Sequence, residues 1–170
     1  MKRIILICLI CLLVTSVTCL AAPGDNAMAA VALYIDTSGH YVPGSDMLNK
    51  ALNEIIRFKI NALFLGSEVQ SGNEVLRELN RYSVTSSATA TPEALSAYSS
   101  NRHVNYLILM SVRPLDMALD LKAFSAASGD YIVDKTVTRP DGTEAMSALD
   151  TLSSMVGTEV VQILQTIRGS

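Results

Sequence analysis

The hydrophobic positions of this chain follow two spacings, one typical of buried strands and one typical of amphipathic helices. An apolar run over 30–36 ends in a polar turn and predicts a buried strand. After the loop 37–44, Ser45 is placed to cap a helix whose apolar residues repeat at intervals of three and four. This helix carries Leu48, Ala51, Leu52, Ile55, Ile56 and the aliphatic stem of Lys59 on one face. The apolar run 60–65 then predicts a second strand.

Two shorter helices are predicted next. The sequence Ser-Gly-Asn-Glu over 71–74 has the spacing of a capping box, in which serine and glutamate side chains satisfy the free N–H groups of the first turn. The helix that follows places Arg77 and Arg81 on its outer face, and its inner face carries Val75, Leu76, Leu79 and Tyr82. Small polar residues over 83–90 predict a loop or a weak edge strand. The sequence Thr-Pro-Glu over 91–93 begins a third helix with a cap, a proline and an acid in the first turn.

Strand patterns dominate the second half of the chain. In residues 104–112, the positions that would face each side of a strand are mostly apolar, which predicts a central strand covered on both faces. The sequence Arg-Pro-Leu over 113–115 interrupts this run, and the alternation over 117–124 predicts a strand with one face in water. A turn at 128–130 and a returning strand over 131–138 complete a hairpin.

A turn at 140–142 precedes the last element, a long helix capped by Thr143. Its apolar residues are Ala145, Leu149, Leu152, Val156, Val160, Ile163 and Ile167. This stripe predicts core packing, with a partner-binding or dimer face as the alternative. The elements follow the order β-α-β-α-(α)-β-β-β-α, so we expect a single α/β domain over 29–168. Its mixed β-sheet of about five strands would be packed by three to four helices.

The first 21 residues have the three parts of a secretory signal peptide: a basic start, an apolar run over 4–14 and an exit of small residues. Eleven helical residues rise about 16 Å, roughly half of a ~30 Å hydrocarbon layer, so we expect no permanent span. Cleavage after Ala21 would leave a short linker, 22–28, and an exported chain in the periplasm or outside the cell. The alternative is a lipoprotein anchored at Cys19, although residues 16–18 lack the leucine and the small residue of a lipobox.

Composition narrows the classes of function. The chain has 170 residues, of which 49% are hydrophobic and 17% charged, values that fit one globular domain and argue against disorder. All three cysteines (Cys8, Cys11 and Cys19) lie within 1–21, so the mature chain would have no thiol for a disulfide, a metal or a nucleophile. The formal net charge is −3, and near −5 once Lys2 and Arg3 are removed, which argues against a nucleic-acid partner.

Three features carry a resemblance to a known family. The chain opens on a strand soon after the signal peptide, a short polar element over 101–105 introduces the central strand, and the hairpin turn reads Ala-Ser-Gly-Asp-Tyr over 127–131. In these features residues 29–167 resemble the periplasmic α/β family that includes the TolB amino-terminal domain, CsgG and LpoB. The resemblance implies binding to other envelope proteins and transfers no catalytic residue to this chain.

Candidate chemistry is sparse. Residues 36–39 read Asp-Thr-Ser-Gly, in which an inserted serine separates this turn from the Asp-Thr-Gly loop of an aspartic protease, so we expect a strand-ending turn. The two histidines, His40 and His103, have no accompanying metal-ligand spacing. Gly-Ser-Glu over 66–68 lacks the second glycine of a nucleophile elbow, and Gly-rich phosphate loops are absent. We therefore expect no catalytic site, no metal and no cofactor.

One charged cluster is a candidate interaction patch. Arg57, Lys59, Arg77 and Arg81 would gather if their two helices are neighbours, although scattered solvated charges are the ordinary interpretation. Export, fold order and sparse chemistry together predict a non-enzymatic envelope protein, an adaptor or assembly module that binds other envelope proteins and could self-associate. The alternative is a periplasmic module that binds a small ligand or a peptide through the loop 37–44. A hydrolase, the third class, would depend on Asp36 or His40.

Overall fold

The structure, a computed structural model, describes residues 27–41, 43–63, 69–139 and 147–169. The strands within these ranges are β1 Ala29–Ile35, β2 Val69–Ser71, β3 Tyr106–Arg113, β4 Ala118–Ser125 and β5 Asp130–Thr138. The helices are α1 Ser45–Leu63, α2 Asn73–Asn80, α3 Pro92–Arg102 and α4 Ala148–Gly169. This is the predicted order of a single α/β domain. The predicted signal peptide, Cys19 and most of the linker lie outside the described residues.

The five strands form one mixed sheet in the order β2-β1-β3-β4-β5. β1 runs parallel to both β2 and β3, whereas β4 and β5 extend the sheet as an antiparallel hairpin. The prediction of a central strand is confirmed because β3 occupies the middle of the sheet and residues 107–112 are buried on both faces. β2 is only three residues long and ends opposite Val31, the third of the seven residues of β1.

The two parallel crossovers place helices on opposite faces of the sheet. The chain moves from β1 to β2 through α1 and then returns across β1 to β3 through α2 and α3. Because crossovers are right-handed, movement in opposite directions puts the connecting helices on opposite faces. α4 packs beside α1, so each face of the parallel part of the sheet is covered by a pair of helices.

Each face has its own hydrophobic core. The core under α1 and α4 combines Leu52 and Ile56 with the apolar side of β4, and it includes the α4 residues Leu152, Val156, Val160, Ile163 and Ile167. The core under α2 and α3 contains Leu79, Leu95, Tyr98, Val104 and Phe124. The α4 stripe is therefore a core-packing face, as its spacing predicted, although Leu149 in the first turn is exposed.

The predicted strand over 60–65 is wrong. Residues 60–63 continue α1 to Leu63, and the second strand is instead Val69–Ser71. A short apolar run fits a buried strand and a buried helical turn equally well, so its period does not decide between them. An existing helix adds one hydrogen bond for each residue it fixes, which favours continuation over a new element. Residues 64–68, which include the Gly-Ser-Glu sequence over 66–68, lie outside the described ranges.

The predicted starts of three helices also need correction. Ser71 belongs to β2 and pairs with Val31, so α2 is preceded by Gly72, whose φ of 96° suits glycine, and no side chain caps it. The first backbone bond of α1 runs from Leu48 N to Gly44 O at 2.9 Å, which makes Gly44 the capping residue in place of Ser45. Thr143 lies outside the described residues.

α4 begins instead at Ala148 with a local cap. Ser147 Oγ accepts a hydrogen bond from Asp150 N at 3.1 Å and donates one to Asp150 Oδ2 at 2.6 Å. The predicted start of α3 is confirmed, since Thr91 Oγ1 accepts a hydrogen bond from Ala94 N at 3.3 Å. The segment 83–90 forms turns, which confirms the loop alternative.

Candidate functional site

A cleft of about 380 Å³ lies beside β2, the short edge of the sheet. Its lining comes from four elements: Arg57 on α1; Val69, Gln70 and Ser71 on β2; Glu74, Val75 and Glu78 on α2; Tyr98 and Arg102 on α3. This volume falls within the range of small-molecule and peptide subsites. The lining is rich in charged side chains, which distinguishes this cleft from the apolar cores on either side.

The lining shows that the cleft runs along the edge of the sheet. Successive side chains of a strand point to opposite faces, so a hollow on one face would contact only alternate residues of β2. This cleft contacts all three residues of β2. It also contacts α1 from one helical layer and α2 and α3 from the other. The outer edge of β2 therefore forms the floor between two helical walls.

Glu78 is the structural centre of the α2–α3 wall. Its side chain is only 7% exposed, and its Oε2 lies 2.9 Å from Arg81 Nη1 and 3.1 Å from Arg102 Nη2. Two guanidinium groups compensate the cost of burying this carboxylate. Arg102 also joins α3 to α2, because Glu78 belongs to one helix and Arg102 to the other.

The outer charges of the cleft are held less firmly. Glu74 is 72% exposed, and its Oε1 lies 3.9 Å from Arg102 Nη2, the longest ion pair in this group. On the opposite wall, Arg57 Nη2 lies 2.7 Å from Glu54 Oε2, but both side chains are about three-fifths exposed. Exposed ion pairs contribute only about 0–1 kcal/mol, so a ligand can replace either pair at low cost.

Two phenols have raised pKa values: the buried Tyr98, which lines the cleft, and the partly buried Tyr34 on β1. Burial raises the pKa of Tyr98, with Arg102 opposing and Glu78 reinforcing the rise, and its ring packs edge-to-face on Tyr82 at 6.0 Å. Burial raises the pKa of Tyr34 to about 12, helped by Tyr98. The Tyr34 hydroxyl donates to Val84 O at 3.5 Å. Both phenols are therefore neutral near pH 7.

The structure separates the members of the predicted basic patch. Arg57 lines the cleft, and Arg81 supports it from behind through Glu78. Arg77 is exposed on α2 and is not among the cleft residues. Lys59 lies in α1, and its side chain is outside the described part of the structure. The two arginines that approach the cleft do so beside glutamates, so this surface is mixed in charge.

The remaining candidates lie elsewhere. Asp36 forms the expected strand-ending turn: its Oδ1 accepts from Ser38 N at 2.8 Å, while Asp36 N continues the sheet to Val112 O. His40 is exposed in this turn, and His103 ends α3 in the left-handed conformation. Among the described residues, no group of three or more His, Cys, Asp and Glu is placed to hold a metal ion.

A second hollow of about 610 Å³ lies on the surface where α1 packs beside α4. Ile55 lines it from α1, and α4 contributes Ser153, Ser154, Gly157, Thr158, Val161 and Gln162. The neighbouring α1 side chains Met47 and Phe58 are more than two-thirds exposed. The exposed surface of this hollow is mainly apolar, and none of its described lining residues is charged.

Sequence reasoning missed the residues that organise the cleft. Glu78 follows Glu74 by one helical turn, and this spacing was a signal that both carboxylates share one face. Arg102 is 24 positions further along the chain, and no periodicity connects it to either glutamate. The packing of α3 against α2 brings them together.

The comparisons with known proteins leave the family open: no protein-family model matches this chain, and no curated protein matches it significantly. The resemblance to the TolB, CsgG and LpoB family therefore stays a prediction. In the described part of the chain, none of the helices combines the length and the apolar character that crossing a membrane requires.

Proposed function

We propose that this chain is an exported, non-enzymatic envelope protein that binds an extended segment of another protein along β2. The cleft at the outer edge of β2 is the observation that carries the proposal. An adaptor or assembly role follows from this mode of binding, because a module that captures a segment of a second protein links it to its own surroundings.

The edge of β2 is suited to strand addition. β2 pairs with β1 on one side, and its other side forms the cleft floor. Strand addition takes its affinity from main-chain hydrogen bonds and its specificity from pockets for alternate side chains. The two helical walls supply those pockets. The short length of β2 limits the paired stretch to about three residues, so the wall contacts must supply part of the binding.

The charged groups of the cleft support binding over catalysis. Each already has an opposite charge within 4 Å: Arg57 has Glu54, and Arg102 has both Glu74 and Glu78. Such pairs hold opposite charges at fixed positions, and a partner can match these positions with charged side chains of its own.

Site-directed photo-crosslinking tests this function. A photo-reactive residue in place of Ser71, which is exposed at the cleft floor, should capture the same protein reproducibly at native expression levels. Arg77 provides the matched control position, because it is exposed on the adjacent helix outside the cleft. The captured segment, made as a synthetic peptide, should slow amide exchange at 69–71. Equal capture from both positions, or a peptide that leaves 69–71 unprotected, would contradict the proposal.

Export is tested by the mass of the mature amino terminus. We expect a chain that begins at Ala22, because the residues before it have the features of a signal peptide. The measurement is intact-mass spectrometry of the protein purified separately from soluble and membrane fractions. A lipid-modified mass beginning at Cys19 would identify an anchored lipoprotein, and an uncleaved chain would contradict export.

A small ligand is the second candidate for the same cleft. The volume of about 380 Å³ and the balanced charges fit a small zwitterion that bears both an amine and a carboxylate. None of the described residues of the loop 37–44 lines this cleft, so the ligand would not bind where the sequence placed it. Thermal stabilisation by free amino acids, lost in Glu74→Gln, would favour this candidate over a protein segment.

A further inference from the structure

The most exposed charged side chains of the two cleft walls are opposite in sign: Arg57 on α1 and Glu74 on α2. We infer that the preferred segment carries one acidic and one basic residue at adjacent positions, the acidic side chain facing Arg57 and the basic side chain facing Glu74. This inference rests on the proposed function and specifies the chemistry of the partner.

Strand geometry determines the adjacency. A segment added beside β2 directs successive side chains to opposite faces of the sheet. One face is covered by α1, which contributes Arg57, and the other by α2, which contributes Glu74. Side chains that meet these two groups must therefore differ by an odd number of positions. Since β2 is three residues long, the adjacent pair is the arrangement that fits.

Arg57 retains the capacity to bind a carboxylate. Its guanidinium has five N–H donors, and among the described residues it makes one hydrogen bond, to Glu54. Glu54 belongs to the same helix and is 59% exposed. A ligand carboxylate can therefore take its place beside Arg57, because water can solvate the released Glu54. Bidentate geometry favours arginine for this task over a lysine at the same place.

Glu74 retains the capacity to bind a cation. Its nearest guanidinium, Arg102, lies 3.9 Å away and is closer to Glu78, at 3.1 Å. Arg102 is 36% exposed and Glu74 is 72% exposed, so the carboxylate is the outward charge of this wall. Glu78 is already compensated by two arginines and supports the wall from below.

A displayed library of random ten-residue peptides, selected on the purified protein, tests the inference. We expect enrichment of one order of an adjacent acidic–basic pair, with the same peptides binding about tenfold more weakly after their two charges are exchanged. The double variant Arg57→Glu/Glu74→Lys reverses both walls and should select the opposite order. Arg77→Glu, on the same helix as Glu74 but outside the cleft, should leave the selected order unchanged. Circular dichroism verifies that each variant is folded.

The outcomes separate the two proposals. Enriched peptides that protect 69–71 from exchange but lack the pair, or that keep their order in the double variant, would overturn the charge preference and leave strand addition intact. Failure to enrich any peptide that protects 69–71 would overturn both. Peptide binding that is equal before and after exchange of the two charges would also overturn the inference, without requiring any change in the protein.

Discussion

The two edges of the sheet differ in length, in surroundings and in exposure. β2 pairs over three residues, and the helices α1, α2 and α3 enclose its outer side in a charged cleft. β5 pairs over most of nine residues, and no described element lies along its outer side. β5 carries Asp134 and Lys135. A bulge interrupts the pairing of β5 with β4 at the point between the β4 residues Ala123 and Phe124. Charges and bulges on a long edge discourage pairing with other chains, so the short enclosed edge is the better receptor.

We expect the largest loss of stability from a substitution that weakens the attachment of β5 to the core. Phe124 is fully buried on β4 and packs edge-to-face on Tyr131 at 6.1 Å, and the Tyr131 hydroxyl donates to Ala90 O at 2.9 Å. Phe124→Ala should lower the free energy of unfolding by about 3–5 kcal/mol, measured by urea denaturation. The half-buried edge residue Val69→Ala is the control and should cost far less. Similar losses in both variants would mean that the two edges are equally integrated into the core.

One carboxylate near each edge of the sheet, Glu78 or Asp120, provides a second comparison, because the two differ in burial. Glu78→Gln should destabilise the protein by about 1–2 kcal/mol, because Arg81 and Arg102 lose a charged acceptor. Asp120 accepts from Arg113 Nε at 2.9 Å and from Thr136 Oγ1 at 2.6 Å, but its side chain is 27% exposed. Asp120→Asn should therefore cost less than Glu78→Gln in the same denaturation experiment. A larger loss of stability for Asp120→Asn would show that the burial of the carboxylate does not determine its contribution to stability.

The phenol of Tyr34 predicts a loss of stability at alkaline pH. Its pKa is about 12 in the folded chain against 10 for an ordinary tyrosine, so between these values the unfolded chain releases a proton that the folded chain retains. The free energy of unfolding should fall as the pH rises through this window. Tyr34→Phe should flatten the fall, and spectrophotometric titration should lose its highest-pH component. A titration unchanged by this substitution would contradict the assignment.

The smallest effect on stability is expected at the protected edge. Asp134 is 55% exposed and lies 3.5 Å from Lys122, so Asp134→Val should change the free energy of unfolding by only about 0.5 kcal/mol. It should nevertheless increase self-association, measured by light scattering, because a charge in the middle of an open edge is lost. Thr138→Val at the end of β5 is the control. Equal association in the two variants would remove the protective role assigned to Asp134.

The sequence predicted most of the sheet for identifiable reasons. β3 is apolar on both faces because helices cover both, and β4 alternates because part of one face meets water, where Asp120 and Lys122 are half-buried. The cap of α3 is local, since Thr91 contacts a residue three positions away. The end of α1 was not predictable, because the run 60–63 fits either period. In the structure, the preceding helix continues through this run to Leu63.

The candidate site was predicted only in part. Arg57 and Arg81 were expected to gather on neighbouring helices, but α1 and α2 cover opposite faces of the sheet. Arg57 lines the cleft, and Arg81 contacts it only through Glu78. The glutamates beside them were not identified, because a carboxylate on an amphipathic helix normally faces water. Glu78 is buried beside α3, where Arg102 lies 3.1 Å from its carboxylate.

The sequence by itself determined the order of strands and helices, since periodicity and local caps depend on residues close along the chain. It did not determine what lies beside β2. The cleft needs a strand that ends opposite Val31 of β1, a helix on each face and an arginine 24 positions from its glutamate. Such contacts join residues that share no repeat or motif, so packing alone brings them together. The edge is a candidate site because tertiary structure encloses it between two walls that carry charged side chains.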